Sequence, residues 1–198
     1  MATAQLAALA RRLNRDAGSP PAPALYFFTD PERAPDPMAA ARRLPRGAAV
    51  VYRHFGAPDR AATARRLAGL CRARGLMFLV AADPELARRV GADGVHWPEA
   101  RLPRQRPQGF ALVTAAAHSS AAIARAKAAG ADVCMLSPVF PTRSSAGRAP
   151  LGLFQASQMA RSAALPVIAL GGINTETGAR LAGRGFAGLA AVEALTRP

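Results

Sequence analysis

Eight short apolar runs recur along the chain, each followed by a polar or amphipathic stretch rich in alanine and arginine. The runs fall at 24–28, 48–52, 77–81, 94–96, 111–115, 133–136, 167–170 and 188–192. They are apolar at successive positions rather than at alternate ones, as strands covered on both faces must be. The stretches between them predict helices at 37–44, 58–74, 84–90, 119–129, 154–163 and 175–184, with an extra N-terminal helix over 2–15. Strands and helices alternating at this spacing predict βαβ units and a parallel sheet. A doubly wound open sheet satisfies the same pattern. Eight repeats, with Gly-Ala-Asp leading into two of the runs at 91–93 and 130–132, favour a closed (β/α)8 TIM barrel. The 198 residues suit one domain, with 1–23 as N-terminal helix and linker and 24–198 as the barrel.

Composition narrows the function classes. Hydrophobic residues make up 51% of the chain, enough for a substantial core. No apolar run reaches the roughly 18 residues that a membrane span requires. Residues 1–23 carry Arg11, Arg12 and Asp16 and contain no continuous apolar segment, so no signal peptide is read there and a cytoplasmic protein is expected. The net charge is +14, almost all of it arginine distributed along helices, with Lys127 the only lysine. No aromatic pattern accompanies the arginines, so this reads as a solvated basic surface and not as a nucleic-acid platform. The single lysine excludes a Walker loop, and its mid-helix place makes it a poor Schiff-base lysine. Cys71 and Cys134 lack metal-ligand spacing and read as packed thiols.

In a parallel barrel the residues just after each strand form the reactive rim. Here they are Thr29-Asp30, Arg53-His54, Ala82-Asp83, His96, Ala116-Ala117-His118, Ser137 to Thr142, Gly171-Gly172 and, at the turn after the last strand, Val192-Glu193. All three histidines of the chain are in that set. Gly171-Gly172 follows the seventh run, where barrels often bind phosphate on loop amides. Tyr52 and Phe55 flank Arg53 and are expected to make the mouth apolar, while Trp97 either walls a pocket or packs.

Several of these stretches, in this order, resemble the thiamine-phosphate synthase/TenI family: Gly91-Ala92-Asp93-Gly94-Val95-His96, Ser137-Pro138-Val139-Phe140-Pro141-Thr142, Pro166-Val167-Ile168-Ala169-Leu170-Gly171-Gly172-Ile173 and the segment 188–195. Leu25-Tyr26-Phe27-Phe28-Thr29-Asp30 is similar to the family's first strand. The resemblance implies a barrel acting on small phosphorylated substrates, and a homodimer. The family's synthases join an aminopyrimidine diphosphate to a thiazole phosphate and release diphosphate with Mg²⁺. The positions the family uses for the metal read Ala81-Ala82 and about Arg101, with Asp83 one residue late. Its motif after the second strand retains only Arg53. Its Ser-x-His retains His118 without the serine. Its strand-6 lysine reads Ser145, and its strand-8 serine reads Glu193.

What remains matches the thiazole-phosphate side: Thr142, Ser144, Gly171 and Gly172, with Arg53 and His96 at the mouth. The missing ligands argue against metal-assisted coupling, so no metal and no cofactor are expected. The reading that follows is a TenI-type thiazole phosphate tautomerase or a diverged synthase paralogue, with His118 as the acid/base that moves one proton. The alternatives are a genuine synthase with rearranged ligands and a non-catalytic binding barrel that retains His118 as a family relic. Glu193 either repels a bound phosphate or turns outward as a helix cap. The expected partner is a small phosphorylated molecule, with no nucleic acid and no membrane.

Overall fold

The computed structural model describes residues 2–19, 22–143 and 147–196. Eight parallel strands close into a barrel in chain order: β1 Leu25–Phe28, β2 Ala49–Tyr52, β3 Met77–Ala81, β4 Gly94–Trp97, β5 Leu112–Ala117, β6 Val133–Leu136, β7 Val167–Ala169 and β8 Gly188–Ala191. The ring is sealed where β1 pairs with β8, Leu25 opposite Leu189. Among the described residues seven α-helices accompany the strands: α1 Ala2–Asp16, α2 Pro37–Arg43, α3 Arg60–Arg74, α4 Pro84–Val90, α5 Ser120–Ala128, α6 Leu153–Ser162 and α7 Thr175–Ala179, with only a 3-10 turn, Glu99–Arg101, between β4 and β5. No helix among the described residues is long and apolar enough to cross a membrane.

Alternation along each strand divides the core in two. Tyr26, Phe28, Val51, Leu79, Leu112, Met135 and Ile168 face inward and fill the barrel. Phe27, Val50, Tyr52, Phe78, Val80, Cys134, Leu136 and Ala191 face outward, under the helices. The helices meet that outer layer largely through alanines such as Ala64, Ala68, Ala87, Ala122, Ala126 and Ala156. Small side chains let the helices sit close to the sheet, which suits so short a barrel. Both cysteines are buried, and burial pushes each thiol up to about 12, so neither is a nucleophile.

The helix starts follow from local chemistry. Asp36 and Asp83 cap α2 and α4 by accepting from the Ala39 and Leu86 amides at 2.8 and 2.9 Å, each with a proline in the first turn. Ser119 and Asn174 cap α5 and α7 in the same way. α7 ends at Ala179, five residues before the expected 184. Turns replace its last part, and Gly183 and Gly185 there adopt φ of +65° and +86°. β5 extends two residues further than expected, to Ala117, so His118 stands directly at its end.

The repeated Gly-Ala-Asp brackets the bottom of the barrel. Asp93 accepts the Phe78 amide and Asp132 the Val113 amide, both at 2.8 Å, so each carboxylate satisfies the N–H of the strand before its own. Replacing Asp93 with Ala leaves the Phe78 N–H buried without a partner. We expect a loss of about 1–3 kcal/mol, read as a lower urea midpoint at unchanged slope. An unchanged midpoint would mean that water serves that amide equally well.

Candidate active site

The inward parity of each strand carries past its end and selects which rim residues enter the mouth. On β2 the inward positions are Ala49 and Val51, so Arg53 turns in while Tyr52 and His54 turn out. The expectation that Tyr52 and Phe55 make the mouth apolar is therefore corrected. Tyr52 lies wholly in the outer layer, its hydroxyl donating to the Arg60 carbonyl at 3.1 Å. Phe55 is 51% exposed, with the guanidiniums of Arg60 and Arg101 near its ring. Trp97 also packs on the outer layer and does not wall the mouth. His54 is buried against Tyr52 with Nε2 unpartnered, and burial holds its pKa below the ordinary value.

Arg53 is held at three points. Its amide donates to Thr29 Oγ1 at 3.0 Å, its Nε to the Thr29 carbonyl at 2.9 Å, and its Nη2 to Asp30 at 3.3 Å. The guanidinium also lies 5.4 Å from the Phe28 ring centre. Burial lowers its pKa, and the Asp30 charge works against that. Asp30 also accepts from the Arg33 side chain and from the Glu32 and Arg33 amides. Burial opposes its ionisation, but those hydrogen bonds and the charges of Arg33 and Arg53 outweigh it and hold the carboxyl below its ordinary range. The Asp30 network was not read from the sequence as part of the site.

His96 is buried, with Nδ1 2.9 Å from Thr114 Oγ1 and its ring edge-on to Phe28 at 5.0 Å. Burial, assisted by the Arg53 charge, pushes its pKa down to about 3, so it stays neutral and braces the upper barrel. His118 is half-buried at the end of β5. Its Nδ1 reaches the Ser137 carbonyl, an obligate acceptor, so Nδ1 carries the proton and Nε2 is left as the basic nitrogen. Its amide donates to Glu99 at 3.0 Å, and Glu99 pairs with Arg125 at 2.6 Å. Glu99 went unnoticed in the sequence. Its one signal is its position three residues after His96.

The residues matched to phosphate gather separately. Thr142, Gly171, Gly172, Val192 and Glu193 line a cavity of about 750 Å³ between the β6 loop and the ends of β7 and β8, with Arg33 and Arg143 at its edge. Ser144 lies outside the described residues. Arg53, His96 and His118 do not line this cavity. Gly171 and Gly172 have φ of +91° and +66°, and a Cβ on them would come within 2.7 Å of Pro138 and 2.5 Å of the Pro141 carbonyl. The glycines are thus required by close packing against the β6 loop, whatever ligand approaches. Glu193 neither caps a helix nor turns away: it lines the cavity and pairs with Arg143 at 2.7 Å.

The side chains present do not fit the magnesium ion that the resemblance implies. Ala81 and Ala82 offer no oxygen from their side chains, and Arg101 brings a positive charge. Asp83 caps α4 through Leu86 and is paired with Arg60, whose other nitrogen donates to the Ala81 carbonyl at 3.1 Å. Among the described residues no three His, Cys, Asp or Glu side chains gather as a metal would require.

Comparison with known proteins adds the family. A family model described as thiamine monophosphate synthase matches residues 25–195. A thiamine-phosphate synthase of Chlorobium luteolum is 34% identical over 187 residues, covering 90% of this chain and 88% of the relative. Another, from Thioalkalivibrio sulfidiphilus, is 35% identical over 174 residues, covering 81% and 82%. Among solved structures, a thiamine phosphate pyrophosphorylase from Pyrococcus furiosus superposes with a TM-score of 0.74 at 25% identity, covering 96% of this chain and 90% of that one.

The burial of His96 has a consequence for pH. Its folded pKa, about 3, lies below the ordinary 6.5, so between those values the unfolded chain binds the proton and the folded one does not. The contribution is complete above about pH 6.5 and is lost as pH falls toward 3, at up to about 1.4 kcal/mol per pH unit. His96→Gln should flatten the stability-versus-pH curve in that window. Equal slopes in urea titrations from pH 7 to pH 4 would show that His96 is solvated.

Proposed function

The chain belongs to the thiamine monophosphate synthase family, and from that premise we propose that it is a thiamin-biosynthetic transferase whose diphosphate side rests on arginine in place of the usual ligand set. The observation that carries this reading is Arg53 at the mouth, its guanidinium fixed at two points, the Thr29 carbonyl and Asp30, and its backbone amide at a third, Thr29 Oγ1. The relatives named as synthases, aligned over four-fifths or more of the chain, support it.

In this reading the thiazole phosphate occupies the cavity at β7 and β8, where it shares Arg33 and Arg143 with Asp30 and Glu193. The diphosphate partner lies toward Arg53. As its bond to the pyrimidine breaks, negative charge grows on the leaving oxygens. A guanidinium already oriented by Thr29 and Asp30 stabilises that charge with little reorganisation. Asp30 limits the effect, because Arg53 divides its field between the carboxylate and the ligand. No step is assigned to a metal ion.

A second reading, a proton-shifting tautomerase, draws on His118. With Nδ1 tied to the Ser137 carbonyl, Nε2 is set to take a proton and return it, which needs neither metal nor diphosphate site. Thiazole phosphate supplied alone, in heavy water, separates the two reactions from coupling with both substrates present. Formation of thiamine phosphate, lowered about 100-fold or more by Arg53→Gln, supports the transferase. Deuterium exchange into the thiazole, abolished by His118→Ala at nearly unchanged affinity, supports the tautomerase. Binding with neither reaction leaves a non-catalytic barrel.

Glu193 tests the anion site itself. Glu193→Ser removes a carboxylate from the cavity and releases Arg143, so thiazole phosphate should bind several-fold more tightly by calorimetry. If no phosphorylated ligand binds measurably to that variant, the cavity is not a phosphate site and the natural ligand is neutral or cationic.

A further inference from the structure

A second concavity, of about 330 Å³, opens at the opposite end of the barrel, where the strands begin. One wall is α1, the other is the loop between α2 and β2, and the start of β1 lies between them. Its charged lining consists of Arg11, Arg15 and Arg46, with no carboxylate and no aromatic ring. None of these three arginines takes part in the ion pairs of the described residues, whereas the rim arginines Arg33, Arg53, Arg60 and Arg143 are each paired with an acid.

The arrangement is ordered from below. Arg11 and Arg15 are four residues apart on one helix, so like charges are neighbours on one face, an unfavourable pairing. Asn14 between them donates to the Ala187 carbonyl at 3.1 Å and anchors that turn to the barrel. Arg46 comes from the facing wall and lies flat across Gly75, where a Cβ would stand 3.0 Å from its Cγ and Cζ. Leu25 and Pro45 supply an apolar side.

We propose that this floor cleft binds a small molecule bearing a diphosphate group. Guanidiniums on two facing walls suit an anion with two charged centres, each able to accept paired N–H donors. The volume lies at the lower end for small-molecule pockets, so the diphosphate carries only a compact organic group. A single-stranded nucleic acid is disfavoured, because its bases find no ring to stack on. The cleft and the mouth lie at opposite ends of the strands, so both can be filled at once. The inference is independent of which reaction the mouth performs.

The test is calorimetric titration of the full chain with inorganic diphosphate at physiological ionic strength. Arg11→Gln/Arg46→Gln changes only exposed side chains, and its melting curve checks the fold. The double variant should weaken diphosphate binding at least tenfold, and raised salt should weaken it in the parent protein. A mouth variant, Arg53→Gln/Arg143→Gln, should retain the floor site. The proposal is overturned if the floor variant binds like the parent, if the mouth variant removes all binding, or if the parent shows no binding at millimolar diphosphate.

Discussion

Closure of the β1–β8 ladder is the constraint from which the rest of the molecule follows. Once eight parallel strands are hydrogen-bonded in a ring, each residue faces either the barrel interior or the helices, and a slip by one residue would exchange the two layers. The seal tolerates little bulk. A Cβ on Gly188 would stand 2.1 Å from the Ala24 carbonyl, and the β4–β5 ladder is as tight, with a Cβ on Gly94 2.0 Å from the Leu112 carbonyl. With register set there, parity past each strand end sends Arg53 into the mouth and Tyr52 out of it.

Carboxylates are the scarce resource of this chain. Twelve acids face 26 basic residues, and the structure concentrates several of them in demanding places. Asp93 and Asp132 serve strand amides at the floor, and Asp36 and Asp83 cap helices. Asp30, Asp83 and Glu193 each hold arginines around the rim. The rim is thus electrostatically internally compensated despite the basic composition. An anion arriving there must displace or share an existing partner, whereas no carboxylate lines the floor cleft.

Much of this was readable from the sequence. Apolar runs without alternation marked the buried strands, and β3, β6 and α4 fall on the expected residues. Helices α2 and α4 start at the expected 37 and 84, where Asp36 and Asp83 cap them, because capping chemistry is local. The ion pairs were not readable: Arg60 with Asp83 and Arg143 with Glu193 join residues 23 and 50 positions apart, and only tertiary packing brings them together. Nor was the division of the site. The sequence placed His118 and Gly171-Gly172 on one rim, but rim membership does not say which residues share a cavity. The glycine pair looked like an anion cradle, yet its closest requirement is room for the β6 loop.

The docking of α1 also bears on how the chain is made. In the chain α1 comes before every strand, but Leu6, Ala10 and Leu13 reach their full burial only once it lies beside β8 and α7 as well as β1. Its Asn14 bonds a carbonyl 173 residues away. Until β8 is made, part of that apolar stripe lacks its native partner, and the ring has no native seal. Vectorial folding can therefore build the middle of the barrel but not finish it, and the α1 stripe stays partly uncovered until β8 arrives.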